Sequence, residues 1–124
     1  MEKTFVMLGA GLMFLAVAAG AFGSHALGPY FDKNPDLGAI YDTAVRYHMI
    51  HALALLGVAW ASTRWPGGLV NGSGWLLFAG ILIFSGTLYA LSLTGIRWLG
   101  AITPIGGVAF LSGWLCLLLA AWRG

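Results

Sequence analysis

Residues 41–56, "YDTAVRYHMIHALALL", decide how this chain is read. The stretch opens on Asp42, Thr43 and Arg46 and runs unbroken into Met, Ile, Leu and Ala, carrying His48 and His51 with it. At about 100° per residue, Tyr41, Ala44, His48, His51 and Leu55 share one helical stripe, while Arg46 points away from it. A helix that starts polar and becomes apolar enters a membrane from its interface. Asn34-Pro35 upstream reads as a cap position followed by proline in the first turn. A helix from there to Arg64 would be roughly 45 Å long, more than the hydrocarbon core of about 30 Å. Its first turns therefore stand among the headgroups.

The rest of the 124 residues agree, being 60% hydrophobic and 8% charged, where soluble domains carry roughly a quarter charged residues. "FVMLGAGLMFLAVAAGAFGS" (5–24) gives a first span, with Ala16/Gly20 and Ala19/Gly23 as small pairs suited to helix packing. A cleaved leader is the rival reading, since Lys3, the apolar run and "AVAAGA" mimic its three regions. "HALGPYFDKNPDLGAIYD" (25–42) holds all three aspartates and lies in water or at the interface. Spans are expected at about 5–24, 43–63, 75–95 and 100–122, with breakers in "STRWPGGLVNGSGW" and a short link at "TGIRWLG". Trp60, Trp65, Trp75 and Trp122 then mark one membrane face, and Tyr30, Tyr41, Tyr47 and Trp98 the other. The fold class is all-α: an integral membrane four-helix bundle with antiparallel spans and an interfacial extension on helix two. Lys3, Arg64 and Arg123 are nearly balanced by Lys33, Arg97 and Arg46, and the termini are assigned to the cytoplasm on that narrow count.

Six scattered Lys and Arg make no nucleic-acid or polybasic lipid patch. Cys116 alone excludes an internal disulfide and any CxxC motif. No nucleophile elbow, phosphate loop or Ser/His/Asp set is present. The chemistry-bearing residues are His25, at the end of span one, with Tyr47, His48 and His51. Depth permits the three histidines to meet between helices one and two, as a polar cluster that locks them or binds a lipid or quinone headgroup. The alternative is a metal-dependent or redox enzyme using the same three imidazoles. Against it stand the i,i+3 spacing of His48 and His51 and the lack of a nearby glutamate. No cofactor and no bound metal are expected. Asp42 and Arg46, four apart and acid first, form an expected interfacial ion pair. Ser85 and Gly86 read as helix packing, and Pro104 with Gly106 and Gly107 as a kink at the start of span four.

"GAFGSHALG", "YDTAVRYHMIHALALLG" and "ITPIGGVAFLSGWLCL" closely resemble the domain of unknown function 423 family, the YgdD/YwdK-like small bacterial inner-membrane proteins. Vertebrate transmembrane protein 256 looks like a distant relative. The resemblance spans essentially the whole chain and implies a multi-pass helical protein, without an activity to carry over. The positions that fit the family's recurring motifs are Gly20, Gly23, His25, Tyr47, His48, His51, Ser85, Gly86, Pro104, Gly106 and Gly107. After His25 this chain has Ala26 and Leu27, where a typical relative has a small residue and often glycine. The partners expected are the bilayer and a larger membrane complex or further copies of the chain.

Overall fold

The computed structural model describes residues 1–124, and every regular element in it is helical. In chain order these are α1 (Glu2–His25), α2 (Gly28–Lys33), α3 (Pro35–Arg64), α4 (Gly68–Gly80), a π turn (Ile81–Ser85), α5 (Gly86–Thr94), a 3₁₀ turn (Arg97–Ala101) and α6 (Thr103–Arg123). Four helical segments are long and apolar enough to cross a membrane: Glu2–His25, Pro35–Arg64, Gly68–Thr94 and Arg97–Arg123. The chain is thus an all-α membrane bundle. Four crossings return both termini to one side, and α3 and α6 traverse it in the same direction.

Helix α3 is the hub. α1 packs along one side of it, α4 packs against α6, and α3 joins the two pairs through α4, the π turn and α5. It also contributes the largest set of buried residues, including Tyr41, Ala44, His48, His51 and Leu55. Apolar side chains gain nothing by leaving lipid for protein, so helices here associate through close packing and interhelical hydrogen bonds. Aromatic rings seated on glycines provide that packing: a Cβ at Gly74 would collide with the Phe5 ring, one at Gly23 with Tyr41, and one at Gly80 with Phe110. Gly20 is different, since its Cβ would make ordinary 3.6 Å contact with Val45.

The first connection, read from sequence as a polar loop, folds into α2 and docks. Phe31 packs on Tyr41 with ring centroids 5.1 Å apart, and the Tyr30 hydroxyl donates to the Ser92 carbonyl at 3.0 Å. α3 begins at Pro35, but Asn34 does not cap it with its side chain. Its amide instead donates to the Tyr30 carbonyl at 3.0 Å, which ties the end of α2 to the start of α3.

Span four departs from the expected kink. The irregularity precedes Pro104, in the 3₁₀ turn, and Pro104 occupies the first turn of α6, where an absent backbone donor costs nothing. Gly106 acts by packing: a Cβ there would run into the Phe84 backbone, so α6 rests directly on the π turn. Gly107 has only Phe84 Cδ2 nearby, at 4.0 Å, and Gly86 has nothing within 4 Å, so neither is a packing contact. The π turn is absent from any reading of the sequence. Its inserted residue shifts the phase of span three, and Ser85 at its end is buried with its hydroxyl donating to the Ala44 carbonyl of α3 at 2.9 Å.

Gly106→Ala should lower stability by about 1–3 kcal/mol through forced overpacking, while Gly107→Ala should be neutral or gain up to about 1 kcal/mol of helix propensity. Equilibrium unfolding in mixed micelles checks the pair; equal effects would show that α6 does not rest on Phe84.

Candidate functional site

His48 and His51 lie on the buried stripe of α3 and are 5% and 4% exposed, yet they turn to different neighbours. His51 faces α6. Its ring lies flat on Phe110, with centroids 3.6 Å apart and planes 11° from parallel. Nδ1 is 2.7 Å from the Tyr47 carbonyl, and Trp114 Nε1 donates to Nε2 at 3.0 Å. A carbonyl can only accept and an indole N–H can only donate. The partners therefore assign one tautomer, neutral with the proton on Nδ1. Protonating Nε2 would set two donors face to face, and both nitrogens are already engaged.

His48 faces α5. Its Nδ1 is 2.8 Å from the Tyr89 hydroxyl, with the two rings edge to face. The other nitrogen, Nε2, is buried with no hydrogen-bond partner. The Leu12 carbonyl of α1 stands near the ring, but outside hydrogen-bond geometry. Buried polar atoms are nearly always satisfied, so this nitrogen is the exception in the site.

His25 does not join them. It is exposed at the end of α1, whose buried residues are Phe5, Gly9 and Ala16. Nine residues beyond Ala16 places His25 about 180° around the helix from that inward stripe. The three-histidine cluster expected between helices one and two is therefore not formed, and no group of three His, Cys, Asp or Glu side chains is placed to hold a metal ion. Tyr47 belongs to the α6 side, its ring 4.6 Å from that of Phe84.

The expected Asp42–Arg46 ion pair is also replaced. The salt bridge that forms joins Arg97 of the 3₁₀ turn to Asp36 in the first turn of α3. Asp42 and Arg46 stay exposed and unpaired with each other; a solvated pair of this kind has little energy to hold it. The Arg97 guanidinium, by hydrogen bond and charge, keeps the Asp36 carboxyl below its ordinary value of 3.8.

Tyr89 and Trp114 are the partners that reading from the sequence missed as such. Both lie inside their spans, Trp114 midway and Tyr89 more than a turn from the end, and a buried Tyr or Trp needs a partner for its polar end. That was the available signal. Two lipid-facing grooves flank the site. One, of about 640 Å³, runs between α1 and α5, with Tyr41, His48 and Tyr89 in its wall. The other, of about 630 Å³, runs between α3 and α6 past His51 and Trp114.

Comparison with known proteins gives a family but no chemistry. The family model described as "Protein of unknown function (DUF423)" matches residues 19–107. The chain is 50% identical to the UPF0382 membrane protein YwdK of Bacillus subtilis over 121 residues, 96% of each chain. It is 46% identical to the UPF0382 membrane protein SH2409 of Staphylococcus haemolyticus, across 98% of this chain and 97% of the relative. No solved structure matches.

Two predictions follow from this geometry. His51→Phe and Trp114→Phe should each destabilise the bundle, and their double-mutant cycle should show a coupling of about 0.6–2 kcal/mol; strictly additive effects would mean the bond carries no energy. A carboxyl whose folded pKa is depressed stabilises the fold above its ordinary pKa, and that contribution is lost as pH falls through the folded value. Arg97→Gln should therefore raise the Asp36 pKa, read by carboxyl carbon-13 NMR, and shrink the acid-side loss of stability. An unmoved Asp36 titration would contradict the pairing.

Proposed function

The chain belongs to the DUF423 family of membrane proteins of unknown function, and from that premise we propose a non-enzymatic binding protein that holds the head group of a lipid or quinone at the His48–Tyr89 pair. One observation carries the reading: a deeply buried imidazole has one nitrogen on a phenol and the other without a partner, in the wall of a lipid-facing groove. If the Tyr89 hydroxyl donates to Nδ1, the proton sits on Nε2 and can be given to a carbonyl oxygen. In the other tautomer Nε2 accepts from a hydroxyl. Carbonyl and hydroxyl head groups on apolar tails are what a membrane offers. The groove volume falls in the range of small-molecule sites, roughly 300–1,000 Å³. His51 supports a binding role over metal or redox work, because both its nitrogens are committed to protein partners.

Residence in the bacterial inner membrane with cytoplasmic termini completes the proposal, together with a role as an accessory subunit that co-purifies with a larger complex. Reporter fusions at Met1 and Gly124 test the orientation, since both ends must report the cytoplasm.

The binding claim is tested by titrating short-chain quinones and single-chain lipids onto detergent-purified protein while following tryptophan fluorescence. Saturable quenching by one of these is expected, weakened about tenfold by His48→Leu, the worth of one buried hydrogen bond of about 1.4 kcal/mol. A non-saturating response, or one unchanged in His48→Leu, would reduce the imidazole to a lock between α1, α3 and α5.

A further inference from the structure

We propose that the groove between α3 and α6 is a second, separate site, which binds an anionic phospholipid with its phosphate on Arg46 and one acyl chain laid toward Trp114. It lies across α3 from the groove beside His48, and does not depend on what His48 binds.

Three observations point to this occupant. Arg46 is the one charged residue lining an otherwise apolar and aromatic groove, alongside Ile50, Phe84, Val108, Leu111 and Trp114. Its guanidinium has no carboxylate within salt-bridge distance, because Asp36 is taken by Arg97 and Asp42 stands apart. An unpaired guanidinium at a membrane interface matches a phosphate, which it can grip through two parallel hydrogen bonds. The anionic head is favoured because no second charge in the groove wall offers a partner to a choline or ethanolamine.

The dimensions fit one acyl chain. α3 and α6 run through the membrane in the same direction, so Arg46 and Pro104 lie at the shallow end and His51 and Trp114 at the deep end. The ten residues from Pro104 to Trp114 cover roughly 15 Å, half of a hydrocarbon core of about 30 Å and so the depth of one leaflet. Gly107 keeps the floor open: a Cβ there would meet only Phe84 Cδ2, at 4.0 Å. The first atom of a side chain added at this groove-lining position therefore meets no clash.

Native mass spectrometry of the detergent-purified chain, titrated with phosphatidylglycerol and phosphatidylcholine of the same acyl chains, tests the proposal. One phosphatidylglycerol per chain should be retained with at least a tenfold preference. Arg46→Gln should abolish that preference, and Asp42→Asn, which removes a negative charge one turn from the phosphate position, should strengthen it. Gly107→Leu should remove the adduct altogether while thermal unfolding shows the bundle intact. Equal retention of the two lipids, or an adduct that survives Arg46→Gln, would overturn the proposal. A lipid-free dimer that Gly107→Leu dissociates would overturn it as well, assigning the groove to a second copy of the chain.

Discussion

Rings resting on glycines hold this bundle in register. In a bilayer the lipid tails are as apolar as the side chains, so helices gain from one another only where surfaces fit closely. Phe5 over Gly74, Tyr41 over Gly23 and Phe110 over Gly80 each bring two helices together at a contact that a single added methyl would block. Two of these contacts also fix the polar chemistry. Tyr41 seated on α1 sends its hydroxyl to the Ala19 carbonyl at 2.5 Å, and Phe110 seated on span three offers the flat face that His51 stacks against. Tyr41 over Gly23 ties α3 to α1, and Phe110, placed on Gly80, is what His51 meets.

With α3 so placed, nearly every polar group on its inward face reaches a neighbouring helix. The Ala44 carbonyl accepts from Ser85 and His51 accepts from Trp114, while Thr87 and Thr103 join spans three and four at 2.7 Å. Such bonds are worth about 0.6–2 kcal/mol each. In hydrocarbon, however, leaving their groups unmade is expensive, and that specifies the helix order more than it stabilises it. His48 Nε2 breaks the pattern, as does the Ser73 hydroxyl, which is buried without a partner in α4. Ser73 sits among apolar core residues and can turn to a backbone carbonyl of its own helix. At His48 the nitrogen that could turn to the backbone, as His51 Nδ1 does to the Tyr47 carbonyl, is held by the Tyr89 hydroxyl, and Nε2 is left without a partner.

Much of this architecture was legible in the sequence because hydropathy and length constrain a membrane chain so tightly. The four spans, the start of α3 at Pro35 and the shared stripe of His48 and His51 all follow from period and composition. Depth, too, was legible, since His25 does end its span on the side where α3 begins. Rotation was harder: the inward stripe of Phe5, Gly9 and Ala16 emerges only from packing, and it turns His25 outward. The Asp36–Arg97 pair joins residues 61 positions apart in sequence, so helical spacing favoured the nearer Asp42–Arg46 instead. The π turn left no mark, because its residues, "ILIFS", are ordinary span residues, and the groups that meet the turn, Gly106 of α6 and the Ala44 carbonyl of α3, are far away in sequence.

The central claim is that two buried histidines three residues apart have different jobs, His51 with both nitrogens held by the protein and His48 with Nε2 left unpartnered for a ligand. Imidazole nitrogen-15 solid-state NMR of the protein in lipid bilayers tests it most directly, with and without added quinone. The account predicts a His51 signal fixed in the neutral Nδ1-protonated tautomer and indifferent to ligand, and a His48 Nε2 signal that shifts as ligand is added. A His51 that shifts with ligand, or a His48 Nε2 that stays in place while ligand saturates the bilayer, would contradict it.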